Sequence, residues 1–142
     1  MLDRNSITSN SFVQGLKSLV FPEICVMCGE NEGMICKNCH KVWNQPPIRL
    51  RYPEAITYST VIYDSSVSSV VLKAKEDRNI FAQELLARAL MRSIEQLQRE
   101  SLIGEFLIVP IPSSPQAVRK RGESFMHPIL KKVKKFALEK GN

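Results

Sequence analysis

Cys25-Val26-Met27-Cys28-Gly29 and, a little further on, Cys36-Lys37-Asn38-Cys39-His40 hold every cysteine of the chain. A Cys-x-x-Cys turn aims two sulfurs at one point, and two such turns supply the four corners of a tetrahedron. Four thiolates satisfy a zinc ion with no position left open, which is the pattern of a structural and not a catalytic site. Gly29, directly after the first pair, can take the positive φ that lets the backbone double back. Two other chemistries use paired cysteines. Disulfides belong to exported proteins, and the start Met1-Leu2-Asp3-Arg4-Asn5 lacks the basic and then apolar pattern of an export signal. A thioredoxin-like pair sits at a helix start after a strand, whereas both pairs here lie among turn residues. The spacing therefore predicts structural zinc on Cys25, Cys28, Cys36 and Cys39. His40 could replace Cys39, but adjacent side chains rarely reach one ion, so it is read as a bystander. A module this small buries little core, so metal binding must supply much of its folding free energy.

Outward from the cysteines, Phe12, Leu16, Leu19 and Val20 recur at helical spacing, predicting a short amphipathic helix over Ser11–Phe21 that Pro22 ends. On the other side Gln45-Pro46-Pro47 breaks the pattern. The expected organisation is a helix and ribbon over 1–45 and a second domain over 46–142. Lys37 and Lys41 offset Glu30 and Glu32, so the ribbon itself has no excess charge with which to grip phosphates. Trp43, without a basic strip around it, is read as packing on the ribbon and not as stacking on a base.

Further along, Ile56–Tyr63 is rich in β-branched and aromatic residues and reads as a strand or two, stopped by Asp64-Ser65. Ser65 or Ser66 then caps a helix reaching about Lys75. The broad stripe Phe81, Ala82, Leu85, Leu86, Ala89, Leu90, Ile94 and Leu97 predicts a long helix over 80–99 with Asn79 as its cap. Phe106-Leu107-Ile108-Val109, all apolar, reads as a buried parallel strand. The stiff run Pro110-Ile111-Pro112-Ser113-Ser114-Pro115 follows it. A last helix is expected over 123–139, with Pro128 in its first turn and Phe125, Ile129, Val133 and Ala137 on one side. Helix, strand, loop and helix make half of a doubly wound α/β unit.

The chain has 142 residues, 44% apolar and 24% charged, which excludes disorder as its general state. No run approaches the roughly 18 consecutive apolar residues of a membrane span. The expectation is a cytoplasmic protein without membrane insertion. From Gln116 onward eight lysines and arginines meet two glutamates, so this stretch alone carries the whole net charge of +6. An anion-binding surface, if the chain has one, belongs there; the plainer reading is a solvated helix face. His127 and His40 have no carboxylate or nucleophile at a catalytic spacing, and no catalytic residue is assigned.

A four-cysteine ribbon, then Tyr63, Leu72-Lys73, a long helix, Val109-Pro110-Ile111-Pro112 and Arg119-Lys120-Arg121-Gly122, in this order, resembles the ComF family. These are phosphoribosyltransferase-like bacterial proteins associated with DNA uptake in natural competence. The resemblance runs from about Phe21 to Ala137. It implies an α/β fold in which an N-terminal four-cysteine zinc ribbon precedes the front half of a type I phosphoribosyltransferase-like domain. It also implies that Pro110, Ile111, Pro112, Ser113 and Ser114 lie where such proteins bind pyrophosphate, with Arg119, Arg121 and Lys73 as candidate cations. A polyanion at the end of a parallel strand, before a helix, follows the general rule for open α/β sheets. The other reading of this loop is a turn whose arginines face solvent.

The chain departs from the family in having Glu123-Ser124 where Phe-Asn is usual. It also has no adjacent acidic pair followed by a Thr-Thr-Gly-rich loop, the segment that holds ribose hydroxyls, metal and phosphate in these transferases. The expectation is a protein inactive on its own. Mg2+ and phosphoribosyl pyrophosphate would bind only if the missing half were supplied. Expected partners are DNA or a competence helicase, or a second chain completing the sheet. The alternative is a zinc-ribbon module that binds nucleic acid through its C-terminal lysines, or docks a partner, without catalysis.

Overall fold

The computed structural model describes residues 24–102 and 104–140. The helix expected over Ser11–Phe21 lies outside them. The described elements are α1 (Lys37–Trp43), β1 (Ile48–Arg51), β2 (Ile56–Ser59), α2 (Ser65–Lys75), α3 (Ile80–Ser101), α4 (Pro115–Arg121) and α5 (Met126–Lys140). The small antiparallel hairpin packs against α3, which also packs against α2 and α5, and a four-cysteine cluster lies N-terminal to these elements in the chain.

Helix α3 is the spine, and its sequence explains why. Twenty-two residues make it about 33 Å long. Asn79 caps it as its position predicts, its side chain accepting the amides of Phe81 and Ala82 at 3.1 and 3.0 Å. Ala82 and Ala89 join a core cluster with Val67, Val70 and Ala74 of α2 and with the cysteine region. Ala87, Met91 and Ile94 join a second cluster with Ile129 and Val133 of α5. Small alanines at the centre of both faces let neighbouring backbones come close. Helix α2 begins one residue earlier than a serine cap would place it, because Asp64 accepts the Val67 amide at 2.9 Å. Ser66 donates to the same carboxylate, and these bonds hold Asp64 below the usual carboxylate range.

The hairpin pairs Ile48 with Ser59 and Arg51 with Ile56. Only β2 falls within the stretch read as strand; β1 carried no expectation, since Ile48-Arg49-Leu50-Arg51 is short and follows two prolines. The chain leaves β2 through Thr60, which is buried and donates to the Ala89 carbonyl at 2.7 Å, with Ser93 Oγ at 2.6 Å. Tyr58 donates to Glu100 at 2.8 Å, and Arg49 lies 3.4 Å from the same carboxylate. The hairpin is therefore anchored along the C-terminal half of α3.

Two expectations about the last third are corrected. Phe106–Val109 forms no strand ladder, and its side chains are not buried: Leu107 is 85% and Val109 75% exposed. A strand needs a neighbour to take its N–H and C=O groups, and no strand lies beside this one among the described residues. The parallel sheet of the expected fold class is accordingly not seen there. In addition, residues read as a connection form α4, and α5 starts at Met126 and not at 123. The signals of α4 are conventional: Ser114 accepts the Ala117 amide, Pro115 occupies the first turn, and Gly122 closes the helix at φ 82°.

Candidate metal centre and the proline-rich loop

The cysteine cluster is built by a knuckle and a helix start. In the knuckle, the Gly29 amide donates to the Cys25 carbonyl at 3.0 Å while Gly29 sits at φ 85°. That conformation is easy for glycine and strained for other residues. Cys25 N–H to Glu30 O (2.8 Å) and Val26 N–H to Met34 O (3.0 Å) close the loop. The second pair stands on α1: Cys36 is its N-cap, with its sulfur accepting the Cys39 amide at 3.5 Å. The Cys36 amide in turn donates to Cys25 Sγ at 3.3 Å, joining the two halves.

All four Sγ atoms lie within 4.8 Å of one another, and Cys28 and Cys36 approach to 3.6 Å. A tetrahedral ion with metal–sulfur bonds of about 2.3 Å places its sulfurs about 3.8 Å apart. The spacing thus fits one metal ion held by four sulfurs. Cys25, Cys36 and Cys39 are buried and Cys28 is exposed, so the centre sits under the surface with one ligand at the rim. The thiols are electrostatically unlike. Burial pushes Cys39 well up, and hydrogen bonding to the sulfurs of Cys36, Cys28 and Cys25 adds to this. Burial also opposes ionisation of Cys25, but amides of Cys28, Cys36 and Met27 outweigh it and bring that thiol down to about 6. Crowding so many potential thiolates is costly without a central cation, which a bound metal supplies.

The centre is tied to the rest of the fold. Trp43, 1% exposed, packs on the knuckle and donates from Nε1 to Met27 Sδ at 3.0 Å. Val26 and Met27 belong to the same core cluster as α2 and α3. Lys73 of α2 donates to the Val26 carbonyl at 2.8 Å. This residue was a candidate phosphate ligand by resemblance; in the structure its ammonium closes the knuckle onto α2. A backbone carbonyl as partner leaves no trace in the sequence, which is why that role was not legible. His40 faces Asn44 and is exposed, away from the sulfur cluster's hydrogen bonds.

The second candidate region, Pro110–Ser114, is an extended and largely exposed loop leading into α4. Ser114 Oγ accepts the Ala117 amide at 3.3 Å, and Ser113 Oγ lies 3.4 Å from Ser124 Oγ. The two arginines differ. Arg119 is exposed at the end of α4. Arg121 has a side chain only 11% exposed, with Nη1 3.5 Å from Glu76 Oε1 and a buried Nε without a partner. Glu76 is the C-cap of α2, so Arg121 fastens α4 to that helix end, a link the sequence did not suggest. Among the described residues no hydrogen bond or ion pair joins Lys73, Arg119 or Arg121 to Pro110–Ser114.

No protein-family model matches the chain, and no curated protein or solved structure shows significant similarity to it. No described helix is long and apolar enough to cross a membrane.

Proposed function

We propose that this chain is a ComF-like protein, a component of phosphoribosyltransferase fold that serves in DNA uptake, with a structural zinc ribbon at its N-terminal side. The observation that carries the reading is the passage from Phe106 to Ser114. An apolar extended run, its side chains exposed, enters a Pro-Ile-Pro-Ser-Ser loop that ends on a helix cap. The composition of this run is that of an inner strand of a parallel sheet, and open α/β sheets receive anions in the loop between such a strand and the next helix, which supports the reading. In this reading the Ile111–Ser114 backbone and Arg119 meet phosphate, while Arg121 holds α4 in place through Glu76. The order of the ribbon, Val109-Pro110-Ile111-Pro112 and Arg119-Lys120-Arg121-Gly122 supports it independently.

Zinc is the assigned ion, since four thiolates in a closed tetrahedral set suit it and leave no catalytic position. A four-cysteine metal site needs its sulfurs reduced, which suits a reducing compartment, so the proposal places the protein in the cytoplasm. The decisive experiment titrates phosphoribosyl pyrophosphate with Mg2+ into the protein expressed from its whole native gene, reading amide shifts at Ile111, Ser113 and Ser114. Saturable shifts there, competed by pyrophosphate, are expected. Unmoved amides at millimolar ligand would sink the proposal.

One observation favours a second reading, in which the chain holds nucleic acid. Ile129 and Val133 bury one side of α5 and leave Lys131, Lys134 and Lys135 exposed. Non-specific DNA binding by this face would weaken steeply with salt and decline on replacing those lysines. Affinity indifferent to both changes would remove this reading.

A further inference from the structure

A half-open groove of about 520 Å³ lies beside the cysteine cluster, bounded by α1, α3 and α5. Clefts of a few hundred cubic ångströms, with apolar walls and a few convergent polar groups, are the usual form of a small-molecule site. Ile35, Trp43, Leu85, Met91 and Phe136 make the apolar wall here.

The charged groups of the groove are unevenly satisfied. Beside His40, which is exposed and faces Asn44, three cations (Arg88, Arg92 and Lys140) meet two carboxylates, Glu84 and Glu95. Glu84 is taken by Arg88 at 2.7 Å, and Arg88 also lies over the Phe136 ring at 4.7 Å. Glu95 is held by Lys140, with Arg99 at 4.0 Å. Among the described residues no carboxylate forms an ion pair with Arg92. Its Nη1 meets only neutral oxygens, Asn44 Oδ1 at 3.3 Å and the Gln45 carbonyl at 3.5 Å. Arg92 is half-buried, and burial holds its guanidinium below the usual arginine range, with the charge of Glu95 opposing that shift. A cation in this condition gains from an anion brought to it, and the planar guanidinium fork matches the two oxygens of a carboxylate.

We propose that this groove binds a small carboxylic acid with an aromatic or branched apolar body, its carboxylate on Arg92 and its body against Leu85, Met91 and Phe136. The groove shares no residue with Pro110–Ser114, so the idea stands apart from the ComF-like reading.

Trp43 is the single tryptophan of the chain and lines the groove, so its emission, together with the amide resonances of Leu85 and Arg92, reports occupancy. The metal-loaded full chain is titrated with 4-phenylbutyrate and with 4-phenylbutanol, an uncharged molecule with the same apolar body. The acid should bind saturably with millimolar affinity, about tenfold more tightly than the alcohol. Arg92→Met should bring the acid down to the affinity of the alcohol, and Arg92→Lys should recover part of the difference. The comparison of acid with alcohol on the unmodified chain stays decisive if Arg92→Met folds poorly. Equal affinity for the two molecules would overturn the proposal, as would undiminished binding of the acid by Arg92→Met. So would emission and amides that stay unmoved up to about 20 mM acid, a concentration well above the dissociation constant expected for a ligand of this size.

Discussion

Residues 25–36 and residues 104–114 are both nearly devoid of regular structure, yet the two stretches have opposite fates. The first contains the turn-forming run Gly29–Gly33, and Cys25, Val26 and Met27 within it are 0%, 6% and 6% exposed. The second contains an unbroken apolar tetrad, and Leu107, Val109 and Ile111 are 85%, 75% and 86% exposed. Hydrophobicity alone would have ranked them the other way. What separates them is partners. The knuckle's backbone is satisfied by its own turns and by Lys73, its sulfurs converge, and Trp43 closes over it. The apolar tetrad has side chains suited to burial but no neighbouring strand among the described residues.

This contrast can be attacked directly, beginning with the metal. Removing it with a chelator, or replacing Cys39 with serine, should unfold the knuckle and loosen α2 and α3 with it. Structural zinc sites in small peptides carry about 10–16 kcal/mol of apparent binding energy, so the effect should dominate all others. Circular dichroism and metal analysis on the same samples would check this; identical melting with and without chelator would break the comparison. Next comes Trp43→Ala, which empties the space over Met27 and should cost about 3–5 kcal/mol in urea unfolding. A cost near zero would mean that the knuckle stands apart from the core.

Thr60→Val should cost less, about 1–2 kcal/mol, by leaving Ser93 without its buried hydroxyl partner where β2 meets α3. Stability measured together with Ser93→Ala in a double-mutant cycle would isolate the pair. The smallest effect belongs to the exposed run. Leu107→Ala should change stability by no more than about 0.5 kcal/mol, because surface substitutions that break no contact seldom do more. A loss comparable to that of Trp43→Ala would show that the tetrad is covered in solution, and would turn the contrast between the two loops into a resemblance.

The features legible in the sequence were those whose cause is local. Cys-x-x-Cys spacing reports a metal site because two residues between ligands fix the geometry of a turn. Asn79 marks a helix start because its side chain bonds to amides only two and three residues away. The alanine and leucine stripe of α3 reports a buried helix because helical periodicity is a property of neighbours in the chain. Helix α4 was not expected, although its signals, Ser114, Pro115 and Gly122, are also local; the proline-rich run beside it drew the reading toward a loop.

Other features depended on residues far apart in sequence. Lys73 has the chemistry of a phosphate ligand, and only the fold, by bringing the Val26 carbonyl within 2.8 Å, made it a brace for the knuckle. Arg121 resembles its neighbour Arg119 in every local respect, and the position of Glu76 alone separates a buried tie from an exposed cation. Phe106–Val109 has the composition of an inner strand, but a strand is defined by the chain beside it. By itself the sequence pointed to the four cysteines that could hold a metal ion and to the long helix α3 with its Asn79 cap, because bonds within one turn set them. Tertiary structure decided which cations stay free and which apolar residues are covered, because charge pairing and burial are relations between distant segments.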